Sequence, residues 1–367
     1  LAPGHPGDYY NAVVSGIKAF AHSDIQDAVL AQRQFGHLSG PQKEVGLALV
    51  DPFGPIGKRE EGFTFRGSKK LDTMLNNQKI LGGLYQAVKW GKVGADRAFT
   101  TFGNKLRGDV FNSTVRHWLP KGLKDTDFAT LDELIEATGK SKNDFEELAR
   151  FINAATGRSE NAVLDKLSPF LSPLVWSSKY TFSTFEAPLM GLGVGGSKAV
   201  WGLAAKDMSM WFGAAVATPL ALITLAGGKV TTDPLSNDFG KGEWNNIPID
   251  FSGGVAGDIR MVAQFVTGKQ RLSSGRLADA DRGKVVWDWA QGKFTPPAAF
   301  GADVVRGSNA IGQPVNTPET IAKDFVKQMA PTPFTVDSAR ESYKAAGWEG
   351  ALVGGTLSFV GERVGSN

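Results

Sequence analysis

Between Asp207 and Lys229 the chain runs for 21 residues, Met208 to Gly228, without a charged side chain. At 1.5 Å rise per residue a helix of that length is about 31 Å long, close to the roughly 30 Å hydrocarbon core of a bilayer. Trp211 near one end and Lys229 beyond the other suit anchoring at a membrane–water interface. Pro219 interrupts the run, and its Ala, Gly and Thr residues make it only moderately apolar. These features favour a buried hairpin in the folded state, able to enter lipid in another state. Helix is expected on both sides of Pro219, with a bend there, because proline lacks a backbone donor and crowds the preceding turn. The preceding run from Ala187 to Ser197 is also uncharged and rich in glycine, which lets a second helix approach closely. Residues 187–228 are therefore expected to form an α-hairpin covered by protein, and Leu222 and Leu225 are its most informative positions.

The rest of the chain narrows the chemistry. Of 367 residues, 42% are hydrophobic and 21% charged, too apolar for disorder and too polar for many membrane spans. Cysteine is absent, which removes disulfides, thiolate metal sites and cysteine nucleophiles together. The four histidines, His5, His22, His37 and His117, form no helical metal pair. A net charge of +3 is far from that of a dedicated nucleic-acid binder. Gly191-Leu-Gly193-Val-Gly195-Gly196 matches a dinucleotide fingerprint, but no strand-like run precedes it and no acid follows about 20 residues later. Close helix packing is the better reading. Asp279-Ala-Asp281-Arg-Gly283 starts like a calcium loop and lacks its closing glutamate. Glu341-Ser342 stands without the further residues a cell-wall lytic enzyme would need. No catalytic, cofactor or metal residues are assigned. The run holding Lys269, Arg271 and Arg276 is the candidate for phosphate contacts made without reading sequence.

Element patterns give a mainly α-helical, glycine-rich assembly with a small β-hairpin near residues 238–251. Residues 1–67 read as an irregular arm with one helix from Asp24 to Phe35. Residues 68–170 read as a helical domain, beginning with two long helices over 70–118. The second shows an apolar face of Phe99, Phe102, Leu106, Val110 and Phe111, which is expected to be buried. Short helices follow over 127–170, started by Thr130-Leu-Asp-Glu133 and Ser141-Lys-Asn-Asp144. Gly139 and Gly157 are expected helix stops, with Gly157 left-handed and Arg158 paired nearby. Residues 171–230 form the apolar hairpin domain. Residues 231–367 combine the β element with short helices at 255–265, 284–291, 297–306, 318–329 and 336–346.

Several motifs together resemble one family. They are Lys58-Arg-Glu-Glu-Gly-Phe63, the run from Asp96 to Phe111, and Arg150-Phe-Ile-Asn153-Ala-Ala-Thr156-Gly157-Arg158. Asp233-Pro234, Asp238-Phe-Gly240, Thr267-Gly-Lys269 and Gly312-Gln-Pro-Val-Asn316 follow. Their order is similar to the large polyvalent protein-associated region of giant phage and prophage proteins, over about residues 40–330. Where relatives read Ser-Pro-Arg, this chain has Ser172-Pro173-Leu174. The resemblance implies a fragment of an internal virion protein, carried in the virion interior, that helps genome DNA cross the host envelope. It implies a homo-oligomer working with portal or ejection proteins, with double-stranded DNA held non-specifically, and with the host inner membrane. The alternative it allows is a polyvalent protein co-injected with DNA that acts in the host cytoplasm, for example against restriction. The chain opens Leu1-Ala-Pro-Gly without methionine, so it is read as a piece of a longer protein whose enzymatic modules lie elsewhere.

Overall fold

Some glycines of this chain sit where two helices touch, and one long helix shows why. A computed structural model describes residues 4–50, 79–159, 175, 178–244, 247–252, 254–272, 274–294, 296–309, 313–329 and 363–364. Two compact units divide the chain: 1–169 with 186–208, and 170–185 with 209–367.

In the first unit α1 (Pro6–Ala21), α2 (Ser23–Phe35) and α3 (Ser39–Glu44) precede α4, which runs unbroken from Lys79 to Trp118. The expected break within 70–118 is absent over the described part. Glycine disfavours a helix by only about 1 kcal/mol, and here close packing offsets it. A side chain at Gly94 would stand 2.8 Å from the Phe20 carbonyl, and one at Gly16 would stand 3.0 Å from the Ala98 carbonyl. Arg97 also donates to the Phe20 carbonyl at 2.8 Å, finishing the C-terminus of α1. Gly108 leaves room for the buried Arg33 guanidinium, which meets Asp109 at 2.9 Å. Over its described residues, 4–50, the arm expected to be irregular is thus largely helical: Gly16 lies inside α1 at the contact with α4, while Gly36 ends α2 and Gly46 turns the chain after α3.

The two expected start signals hold. Thr130 and Glu133 form a reciprocal cap on α5 (Leu131–Thr138), and Ser141 and Asp144 do the same for α6 (Lys142–Ala155). Gly139 and Gly157 end these helices with φ of 63° and 83°. The core joins Leu106, Val110, Phe111 and Val115 of α4 to Leu131, Leu134, Phe145, Leu148 and Ile152. Trp118 meets Phe145 edge-on at 5.3 Å. Phe102 is only half-buried, and Phe99 is 55% exposed, contrary to expectation. The apolar face of α4 extends beyond its cover, and the core starts at Phe102 and Leu106, a turn further on.

The helix α7 (Ser178–Gly191) is followed by a turn and then by α8 (Lys198–Trp211). Within the first unit Met190, Val200 and Ala204 join the core. A side chain at Gly191 would stand 2.9 Å from Met208, and the Trp201 indole donates to the Gly191 carbonyl at 3.2 Å. The glycine run therefore serves helix packing. The expected hairpin of 187–228 begins earlier, at Ser178, and it is not one domain: the unit boundary falls between Met208 and Ser209.

In the second unit β1 (Lys229–Val230), β2 (Lys241–Trp244), β3 (Ile247–Asp250) and β6 (Arg363–Val364) form one antiparallel sheet. The pairing of Lys241 with Asp250 and of Trp244 with Ile247 is the expected hairpin. A second hairpin pairs β4 (Lys269–Arg271) with β5 (Leu277–Asp279). Helices α10 (Val255–Thr267), α11 (Arg282–Gln291), α12 (Pro296–Arg306) and α13 (Pro318–Met329) lie close to their expected positions. The readings at 58–63, 171–174 and 336–346, and Glu341-Ser342, lie outside the described residues.

Candidate functional site: an uncovered apolar helix

The charge-free run is helical on both sides of Pro219, as its composition requires. From Lys198 to Leu225 the helix spans 28 residues, about 42 Å at helical rise. The distortion expected at Pro219 is a π turn, Phe212–Ala217, directly before α9 (Thr218–Leu225). Proline cannot donate to the preceding turn, and the wider turn relieves the clash. The Thr218 backbone N–H and hydroxyl both donate to the Gly213 carbonyl, the hydroxyl at 2.7 Å. The backbone is thus largely satisfied from within the helix, as a lipid environment demands.

What the sequence reading has wrong is the cover. Only 6% of the most apolar window is buried. One edge, Leu220 and Ile223, rests on the sheet at Gly242, where a side chain would stand 2.5 Å from the Ile223 methyl. The other sides are open: Leu222 is 60% and Leu225 83% exposed, and Met210 and Phe212 are also exposed. Trp211 is half-buried, its ring edge-on to Phe212 at 4.9 Å. The small strands of this sheet are too short to cover more than one face of the helix. The run's charged neighbour Asp207 is buried in the first unit, with the His5 Nε2 atom 3.4 Å away.

Asn153, Thr156, Gly157 and Arg158 form a different kind of site. The Asn153 side chain accepts from the Ala48 N–H and donates to the Gly46 carbonyl, each at 2.9 Å. Asn104 makes the same paired contact with the backbone of Val50, at 2.8 and 2.9 Å. Arg107 donates to the Ala48 carbonyl at 3.1 Å and to the Thr156 hydroxyl at 2.9 Å. Gly157 turns the chain so that the Arg158 N–H reaches the Asn153 carbonyl at 2.8 Å. Arg158 itself is buried. Two motifs that stand apart in sequence thus converge on one buried clamp, which holds the non-helical segment 46–50. Asn104 and Arg107 are missed by the apolar-face reading. Their signal is polar side chains flanking Phe102, Leu106 and Val110 in a helix with a continuous core.

The basic run is partly neutralised. Lys269 pairs with Asp279 at 2.5 Å, and Arg271 pairs with Asp233 while also donating to the Gly275 carbonyl. Arg276 is exposed near the hairpin tip. The Arg271 guanidinium, by its hydrogen bond, holds the Asp233 carboxyl below the usual carboxylate range, and Lys269 does the same for Asp279. Asp281, from the calcium-like run, caps α11 by accepting from the Lys284 N–H at 2.9 Å. Among the described residues no group of three histidine or carboxylate side chains is placed to hold a metal ion.

Compared with family models, curated proteins and solved structures, the chain matches none.

Proposed function

We propose that this chain is a structural part of a phage internal virion protein that helps genome DNA cross the host envelope, with residues 208–225 as its membrane-active segment. The observation that carries the reading is the uncovered, charge-free helix. A soluble protein rarely leaves so long an apolar surface open, and such surfaces mark contact with membranes or other proteins. The charge-free part from Met208 to Leu225 is about 27 Å long at helical rise, near the bilayer core. Its chemistry supports passage through lipid once several copies surround an axis, and the resemblance of the ordered motifs supports the virion setting. No enzymatic step is assigned to the chain.

Mass spectrometry of purified virions, followed by asymmetric reconstruction, tests this reading. The protein should be a virion component, with density inside the capsid near the portal. Density on the outer shell, or a protein made only in the infected host, would overturn it. Recovery from the host cytoplasm and not from the envelope after infection would favour the co-injected alternative.

A further inference from the structure

Asp207 is the last charged residue before the charge-free run, and at 1% exposure it is the most deeply buried carboxylate among the described residues. Neither of its oxygens makes a hydrogen bond. A carboxylate in that state is costly unless a charge balances it. The group placed to balance it is His5, the residue before the first turn of α1. Its Nε2 atom lies 3.4 Å from the Asp207 carboxylate, and its Nδ1 atom lies 3.6 Å from the carboxylate of Asp8. Asp8 is held by the Ser113 hydroxyl of α4, which donates to it at 2.8 Å. Gly4 permits the close approach, because a Cβ there would overlap the Asp207 carboxylate.

The His5 ring thus has a carboxylate at each nitrogen. A neutral imidazole carries one N–H and one lone pair, so it would turn the lone pair on one of the two; only the charged ring offers a proton to both. The carboxylates stand at opposite edges of the ring and do not converge. One imidazole with one carboxylate falls short of the three protein ligands of a zinc site, so the ligand that suits this place is a proton. The other charges nearby stand off the pair. Asp109, one turn before Ser113 on α4, pairs with Arg33 and Lys105. Lys206, beside Asp207, and His117, one turn after Ser113, are exposed and make no ion pair among the described residues. The place of the pair in the chain gives it a consequence. A membrane span needs its flanking charges at the water interface, since a charge is costly deeper in. Asp207 is the flanking charge next to Met208, and its contact with Gly4 and His5 keeps it inside the first unit.

We propose that His5 and Asp207 form a proton-operated latch that holds the start of α1 on α8, closed while His5 is charged and released when it is neutral. The latch rests on the proposed function for its use, which is to set when the helix at 208–225 is free to enter lipid. Charge on His5 stabilises the docked state at low pH, and that contribution is lost as pH rises through the range in which histidine titrates. The test is hydrogen–deuterium exchange of the full chain, read in peptides covering 4–21 and 198–207 and corrected for the intrinsic effect of pH. From about pH 5.5 to about pH 8 the opening constant of both segments should rise at least tenfold. His5→Gln should show the raised value at both pH values. Asp207→Asn, which keeps the shape and removes the charge, should lose the pH response, while Asp8→Asn, in the more exposed pair, should keep most of it. An opening constant that does not change in the wild type, or a rise that His5→Gln shares, would overturn the proposal. So would a response lost in Asp8→Asn and kept in Asp207→Asn. Dye release from vesicles at the same two pH values separates the latch from the reading it serves, and the wild type should release at least tenfold faster at the higher pH. If opening follows His5 and no release occurs at either pH, the latch stands and the membrane-active segment fails. Equal release at both, with opening that follows His5, would overturn the latch's control of the helix.

Discussion

At Asn153 a single side chain supplies both a donor and an acceptor to a segment more than 100 residues away in sequence. Its Oδ1 is the partner of the buried Ala48 N–H, so removing it leaves that donor unsatisfied. Such an orphan costs about 1–3 kcal/mol. Asn153→Ala should therefore lower the stability of the full chain by at least that amount in urea unfolding. Phe99→Ala, at an exposed site, should stay within about 0.5 kcal/mol. Equal effects would mean that the clamp contributes nothing. The sequence marks Asn153, Thr156 and Gly157 as a helix-ending motif, and the structure agrees. It does not mark what Asn153 binds, because the partner is the backbone of 46–50, and backbone groups carry no sequence signature. Phe99 is misread for the converse reason: an apolar face can be read from spacing, but the length of the covering helices cannot.

At the scale of elements, local signals decide what is legible. The reciprocal caps at Thr130–Glu133 and Ser141–Asp144 are short-range chemistry, and both helices start where they indicate. The helix Ser23–Phe35 stands where its glycine-free run indicates, whereas the unbroken helix from Lys79 to Trp118 and the helix Pro6–Ala21 are less legible, because Gly94 and Gly16 look like breakers until the opposing backbone is known. The β4–β5 hairpin lends itself to a pH test. Asp233 is depressed by Arg271, so its folded value lies below its unfolded one, and the pair stabilises the hairpin above the ordinary carboxylate range. That contribution is lost as pH falls through the depressed value. Followed by NMR, Asp233 should titrate below the usual value of about 3.9, and Arg271→Gln should move its midpoint up towards it. An unmoved midpoint would contradict the pairing.

At the scale of the molecule the contrast lies, among the described residues, between a unit with 25 buried apolar side chains and one with five. The mainly α fold with a small β-hairpin is legible from composition and turn residues. The unit boundary at Met208/Ser209 is not: the charge-free run starts there, but it falls inside a helix, and loss of charge does not say that the chain passes from one packed unit to another. Burial of the charge-free run is misread because apolar composition says that a surface avoids water, without saying whether protein or lipid covers it. The most direct measurement is release of a trapped dye from vesicles by the full chain and by Leu222→Lys/Leu225→Lys. A charge at the centre of a membrane helix disfavours insertion by about 2.5–3.5 kcal/mol. Both residues are exposed, so the variant should fold as the wild type does. The account predicts rapid release by the wild-type chain and release at least a hundredfold slower from the double variant. Equal release by the two, or none by the wild type, would contradict it.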